Sequence, residues 1–167
     1  MIKWLKLKMR NAIIESSLRN VSRTIVFPIK EQIKTIGAIT NQEDTAQTIK
    51  NIFGQAVSVD ILKFETGKRP KENNDTVLYH SDKNWLGLPL KSRTEWFTSK
   101  CFDVLIDLNS EKNDTIEYIC AKSAARFKVS ANKNTSVYDL IIKHQNIDIK
   151  TFLKQILETI TRFNSTQ

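Results

Sequence analysis

Asp107 is the residue in this sequence best placed to do chemistry. It follows the apolar run Val104-Leu105-Ile106. A carboxylate at the end of a buried strand can bind a hydroxyl, or act as a base once desolvation raises its pKa. In open α/β sheets ligands sit beyond the carboxyl ends of the strands. Applied here, that rule picks out Thr40 and Asn41, His80 to Asp82, Asp107 and Asn109, and Ser130 to Asn132, with Asn41, Asp107, Asn109 and Asn132 as the candidate ligand-binding residues. Their chemistry suits a sugar, a nucleotide or a phosphorylated metabolite. The competing reading is that Asp107 braces a neighbouring loop, and it is preferred because a place in a fold seldom implies a function. Asp103 is no partner for a carboxylate dyad, since four residues along a strand separate the two by about 13 Å.

Other chemistries lack their residues. Cys101 and Cys120 form no Cys-x-x-Cys, and His80 and His144 stand at no ligand spacing to them, so no metal site is expected. Phosphate cradles need glycines where a strand turns into a helix. The four glycines, at 37, 54, 67 and 87, open no helix after a strand, so the dinucleotide and P-loop fingerprints are absent. No serine sits on a nucleophile-elbow sequence. The expectation is a binding module without cofactor or catalytic residues, the alternative being an enzyme on a sugar, nucleotide or phosphorylated metabolite at the strand ends near Asp107. Two cysteines in this length fit reduced thiols in a cytoplasm.

Charge carries the second signal. The net charge is +8 over 167 residues, and residues 1–34 hold eight Lys or Arg against only Glu15 and Glu31. The remainder is nearly neutral. Lys3, Lys6, Lys8, Arg10, Arg19 and Arg23 cluster on a segment whose apolar residues fall into two helical stripes: Trp4, Leu7, Ile14, Leu18 and Val21, and opposite them Leu5, Met9, Ala12 and Ile13. A helix that only covers a domain needs one stripe. Most apolar stripes are core, so burial of both is slightly preferred. The alternative is that the second stripe faces a partner, a lipid surface or a second copy of the chain, and the basic residues point to RNA, most naturally ribosomal, or to an anionic inner-membrane surface. No apolar run is long enough to span a bilayer.

These groups need elements to position them. Residues 2–21 read as the basic helix, with Pro28 stopping any helix in the connector that follows. A short strand at 35–40 leads into a helix through Phe53, with Asn41 as expected N-cap and Gly37 as expected room for a helix. Strands follow at 56–64 and 76–80, and Trp85 is expected to pack its turn-rich link down. A helix at 94–100 precedes the central strand at 102–108. Next come a helix at 115–125, strands at 126–131 and 137–142, and a last helix capped by Asp148. The order after the first helix is β-α-β-β-α-β-α-β-β-α. That predicts an α/β, Rossmann-like three-layer sandwich with a mostly parallel sheet over 35–167, preceded by a basic helix and connector over 1–34.

Three stretches carry a resemblance: Lys34-Thr35-Ile36-Gly37, Asp82-Lys83-Asn84-Trp85-Leu86-Gly87-Leu88-Pro89, and Phe102-Asp103-Val104-Leu105-Ile106-Asp107-Leu108 followed by Ala125-Arg126-Phe127-Lys128-Val129. Together they resemble a family of small proteins of Bacteroidetes-type bacteria carrying a domain of unknown function. That likeness spans nearly the whole chain and implies no activity. Residues 102–130 are also similar to the N-terminal half of heptosyltransferase-type glycosyltransferases, with Ser130 where those have glycine. This second likeness implies a Rossmann-like topology.

Overall fold

In the computed structural model, which describes residues 2–65, 69–70, 75–109, 111–131, 135–143 and 148–165, the strand Val104–Asp107 (β4) is buried at every position. It lies beside Thr35–Ile39 (β1) at the middle of a six-stranded sheet. Ser58–Glu65 (β2) and Val77–Tyr79 (β3) continue the sheet on one side, Lys128–Ala131 (β5) and Leu140–Ile142 (β6) on the other. The order is β3-β2-β1-β4-β5-β6, and every pair is parallel. An apolar run such as Val104-Leu105-Ile106 needs cover on both faces, and helices supply it. Thr45–Phe53 (α2) and Ile149–Asn164 (α5) cover one face. Ile2–Asn20 (α1), Lys91–Thr98 (α3) and Asp114–Lys122 (α4) cover the other. The predicted element order and Rossmann-like class match this architecture. The chain winds outward from β1 in both directions, so the order reverses between β1 and β4, where such sheets leave a crevice at their carboxyl ends.

Boundaries moved where backbone geometry, invisible in side-chain pattern, decides them. Helix α4 stops at Lys122 because Ser123 takes an extended conformation. Its start is fixed by Asn113, whose side chain accepts from Thr115 N and Ile116 N. Asp148 caps α5 as expected, accepting from Thr151 N at 3.0 Å. Asn41 does not cap α2. The cap position falls to Asp44, with φ of 56° and no side-chain bond.

Gly37 makes room for a ring rather than a helix. A Cβ there would meet the Phe102 ring at 2.7 Å, and that ring is held by Phe97 at 5.0 Å between centroids. Because neither neighbour is a flexible tail, Gly37→Ala is expected to cost about 1–3 kcal/mol, the usual range for overpacking. Urea unfolding checks it, and an unchanged midpoint would mean that the ring can step aside.

The first 34 residues are joined to the body at several points. Helix α1 runs beside α4 in the same direction. Arg10 meets Asp114 at the start of α4, and Val21 shares a groove with Lys122 at its end. Ile14 and Ser17 are buried and Leu18 packs on the core. With 19 residues, α1 is about 28 Å long, against about 13 Å for the 9 residues of α4. The partner ends before α1 does. Trp4 and Leu7, expected on the same buried stripe as Ile14, Leu18 and Val21, are therefore exposed, and residues 3–9 overhang the carboxyl end of the sheet. Beyond α1, Arg23 forms two bonds to Asp139, at 2.8 and 2.7 Å. Residues 24–29 then cross the opposite end, where Phe27 packs on Phe127 and Phe163.

Candidate functional sites at the carboxyl end of the sheet

A cleft of about 360 Å³ lies where the strand order reverses, lined by Thr40, Asn41, Gln42, Phe64, Leu108, Asn109 and the first residues leading into α4. Two of the four predicted ligand-binding residues, Asn41 and Asn109, meet there. Asp107 does not line it. Fully buried, its Oδ2 accepts from the Tyr138 hydroxyl at 2.5 Å. Its Oδ1 accepts from Asn109 N at 3.0 Å and from Asn109 Nδ2 at 2.9 Å. The carboxylate thus braces the turn behind the cleft, and burial, with Cys120 and Asp107 beside it, pushes the Tyr138 phenol far above its ordinary range. Asn132 lies outside the described residues. Asn41, freed from capping, accepts from Phe64 N at 2.9 Å and so ties the end of β1 to that of β2. Asn109 makes the matching tie from β4, donating to Ile39 O at 3.0 Å.

Farther along the same end of the sheet, Asp82 is buried and bonded to Arg69 at 3.0 Å. Burial pushes its carboxyl up, and Arg69, the Tyr79 N–H and Arg93 more than offset this, leaving it below the usual carboxylate range. That pairing holds the turn after β3. Among the described residues no group of three His, Cys, Asp or Glu is arranged to hold a metal ion, and neither Cys101 nor Cys120 is in a disulfide.

The six predicted basic contacts separate into three kinds. Lys3, Lys6 and Lys8 stand together on the overhang of α1, and Arg19 is exposed on its last turn. Arg10 is engaged, donating to Leu86 O at 3.1 Å and to Asp114. Arg23 is engaged by Asp139 and by Ala125 O. Interleaved with the three lysines, Trp4 is 59% exposed, Leu5 53%, Leu7 48% and Met9 38%. Lys8 Nζ sits 4.1 Å over the Trp4 ring. Trp85 joins this patch rather than packing its loop: it is 66% exposed, with Lys6 Nζ 5.7 Å from its ring. Leu86 and Leu88 do the packing instead, because Asn84 accepts from both their N–H groups and Gly87 turns the chain at φ of 79°. No helix among the described residues is long and apolar enough to cross a membrane.

Sequence reasoning missed one group. Lys128, on β5, is 0% exposed, and its Nζ has no hydrogen-bond partner among the described residues. Burial, with the nearby Arg23 charge, lowers its pKa from 10.5 to about 8, against the opposing pull of Cys120 and Asp139. Nothing in the alternation of Arg126-Phe127-Lys128-Val129 marks it as interior. A lysine on a strand ordinarily implies a wet face.

A family model, described as a family of unknown function, matches residues 6–162. No curated protein and no solved structure matches the chain.

Proposed function

Because this chain belongs to the family of unknown function DUF6913, which supplies no activity to carry over, we propose a role from its geometry: a binding module that docks on an anionic membrane surface through the overhang of α1. The observation that supports it is the exposure of Trp4, Leu5 and Leu7 among Lys3, Lys6 and Lys8, with no acidic residue before Glu15. Apolar and basic side chains alternate around the whole circumference of residues 3–9. The overhang would therefore dip end-on into the headgroup region, its lysine heads reaching back to phosphate. RNA would use the same three lysines, and Trp4 as a stacking surface, but it offers nothing to Leu5, Leu7 and Met9. Arg10 and Arg23, which an RNA reading also wants, are held by Asp114 and Asp139. A second copy of the chain would bring lysines against lysines.

Lysines near an anionic bilayer contribute about 1 kcal/mol each. Replacing Lys3, Lys6 and Lys8 by Gln is then expected to reduce partition about a hundredfold. The measurement is co-sedimentation of the full chain with phosphatidylglycerol-containing vesicles and with purely phosphatidylcholine ones. Binding only to the anionic vesicles, lost in the Leu5→Ser/Leu7→Ser variant, supports the proposal. RNA binding unchanged by that pair of substitutions, with no vesicle binding, overturns it in favour of RNA. The expected interior location of such a surface, facing a cytoplasm, belongs to the same proposal.

A further inference from the structure

The amides that line the crevice at the strand-order reversal are already sorted into donor and acceptor. Asn41 Oδ1 is engaged by Phe64 N, so its Nδ2 is the half left over. Asn109 Nδ2 donates to both Ile39 O and Asp107 Oδ1, so its Oδ1 is the half left over. Neither leftover atom has a partner among the described residues. Their orientation follows from the hydrogen-bond network and is anchored to backbone at the ends of β1, β2 and β4. Between them lies a cleft of about 360 Å³ with Phe64, Leu108 and Ile116 among its lining. A fixed donor and a fixed acceptor in a mostly polar cleft, with Phe64, Leu108 and Ile116 as its apolar part, match a group that both accepts and donates on a ligand that also presents some C–H surface.

The same crevice is ill suited to phosphate. Anions favour helix N-termini with open N–H groups. At α4 two of those N–H groups are occupied by Asn113, and Asp114 and Glu117 stand in the first turn. The lining itself carries one cation, Lys112, with Glu111 beside it in sequence to offset it, and the approach to α2 carries Glu43 and Asp44. Of the nucleotide, phosphorylated-metabolite and sugar readings, the last fits best, because it asks for no net positive charge in the lining.

We propose that this cleft binds a neutral, hydroxyl-rich ligand of the sugar class, one hydroxyl bridging Asn41 Nδ2 and Asn109 Oδ1. The site is independent of membrane docking, so either can fail alone. The test is a ¹H–¹⁵N titration of the full chain with D-glucose, D-galactose and D-mannose, and with the 6-phosphate of each. The expected result is a saturable shift of the Asn41 side-chain NH₂ and the Asn109 amide with at least one neutral hexose, and affinity at least tenfold weaker for its 6-phosphate. Asn41→Asp keeps the acceptor for Phe64 N and exchanges the leftover donor for an acceptor. It is expected to weaken hexose binding at least tenfold while leaving the thermal midpoint within a few degrees. Gln42→Ala, which leaves both amides in place, controls for a general effect of altering the rim. The proposal is overturned if no hexose gives a saturable shift, if a 6-phosphate binds more tightly than its parent sugar, or if Asn41→Asp binds as well as the unaltered chain.

Discussion

Lys128→Met is expected to make the protein more stable by about 3 kcal/mol at pH 7. The side chain is fully buried and its ammonium unpaired among the described residues. A fall in pKa from 10.5 to about 8 corresponds, at about 1.4 kcal/mol per unit, to that much preference for the neutral form. Replacing buried charge by an apolar side chain of similar length commonly stabilises by about 1–4 kcal/mol. The pH dependence follows in sign. Below pH 8 both folded and unfolded chains carry the proton, and the penalty is constant. Between pH 8 and 10.5 the unfolded chain holds more protons than the folded one, so stability rises with pH. The methionine variant lacks that rise, and its advantage is expected to shrink to about 1 kcal/mol at pH 9.5. Urea unfolding of both chains at pH 7 and pH 9.5 measures this. An equal difference at the two pH values would mean that Lys128 keeps its charge in the fold through an unseen partner.

Asp139→Ala is expected to act in the opposite direction, costing about 2–4 kcal/mol, somewhat below the range for removing one member of a fully buried ion pair, because Arg23 and Asp139 keep 12% and 11% of their side-chain surface exposed. Asp139 accepts two bonds from Arg23 and one from Lys128 N at 2.8 Å. Without it, the Arg23 guanidinium and the Lys128 ammonium remain in the same seam with no carboxylate between them. The two substitutions are therefore coupled, and the loss from Asp139→Ala is expected to be smaller when Lys128 is already Met. Equal losses in both backgrounds would show that the two cations do not sense one another. A loss under about 1 kcal/mol would show that water satisfies Arg23 once its partner is gone.

The parts of the fold that were legible are those in which one residue's chemistry suffices. Val104-Leu105-Ile106 announces a strand covered on both faces, and Asp148 announces a helix start, because each needs only its neighbours in sequence. What stayed hidden depends on distant chain. Trp85 looks like packing material until Asn84 and Gly87 set the turn that points it outward. Trp4 looks like core until α4 proves shorter than α1. Lys128 looks exposed until the fold buries every position of β5. The candidate cleft was half legible. The strand-end rule found Asn41 and Asn109, but not the bonds to Phe64 N and Ile39 O that decide which half of each amide is left over. Asp107, the first candidate, turned out to stand behind the site.

Arg10 joins the base of the α1 overhang to the Leu86 turn and to the start of α4. Its guanidinium bonds to Asp114 and to Leu86 O and lies 3.4 Å from where a side chain on Gly87 would begin. Asp114 directly follows Asn113, which lines the cleft. In mechanical terms Arg10 is a strut: it pins the base of the overhang to the start of α4, so that only residues 3–9 are cantilevered beyond the body.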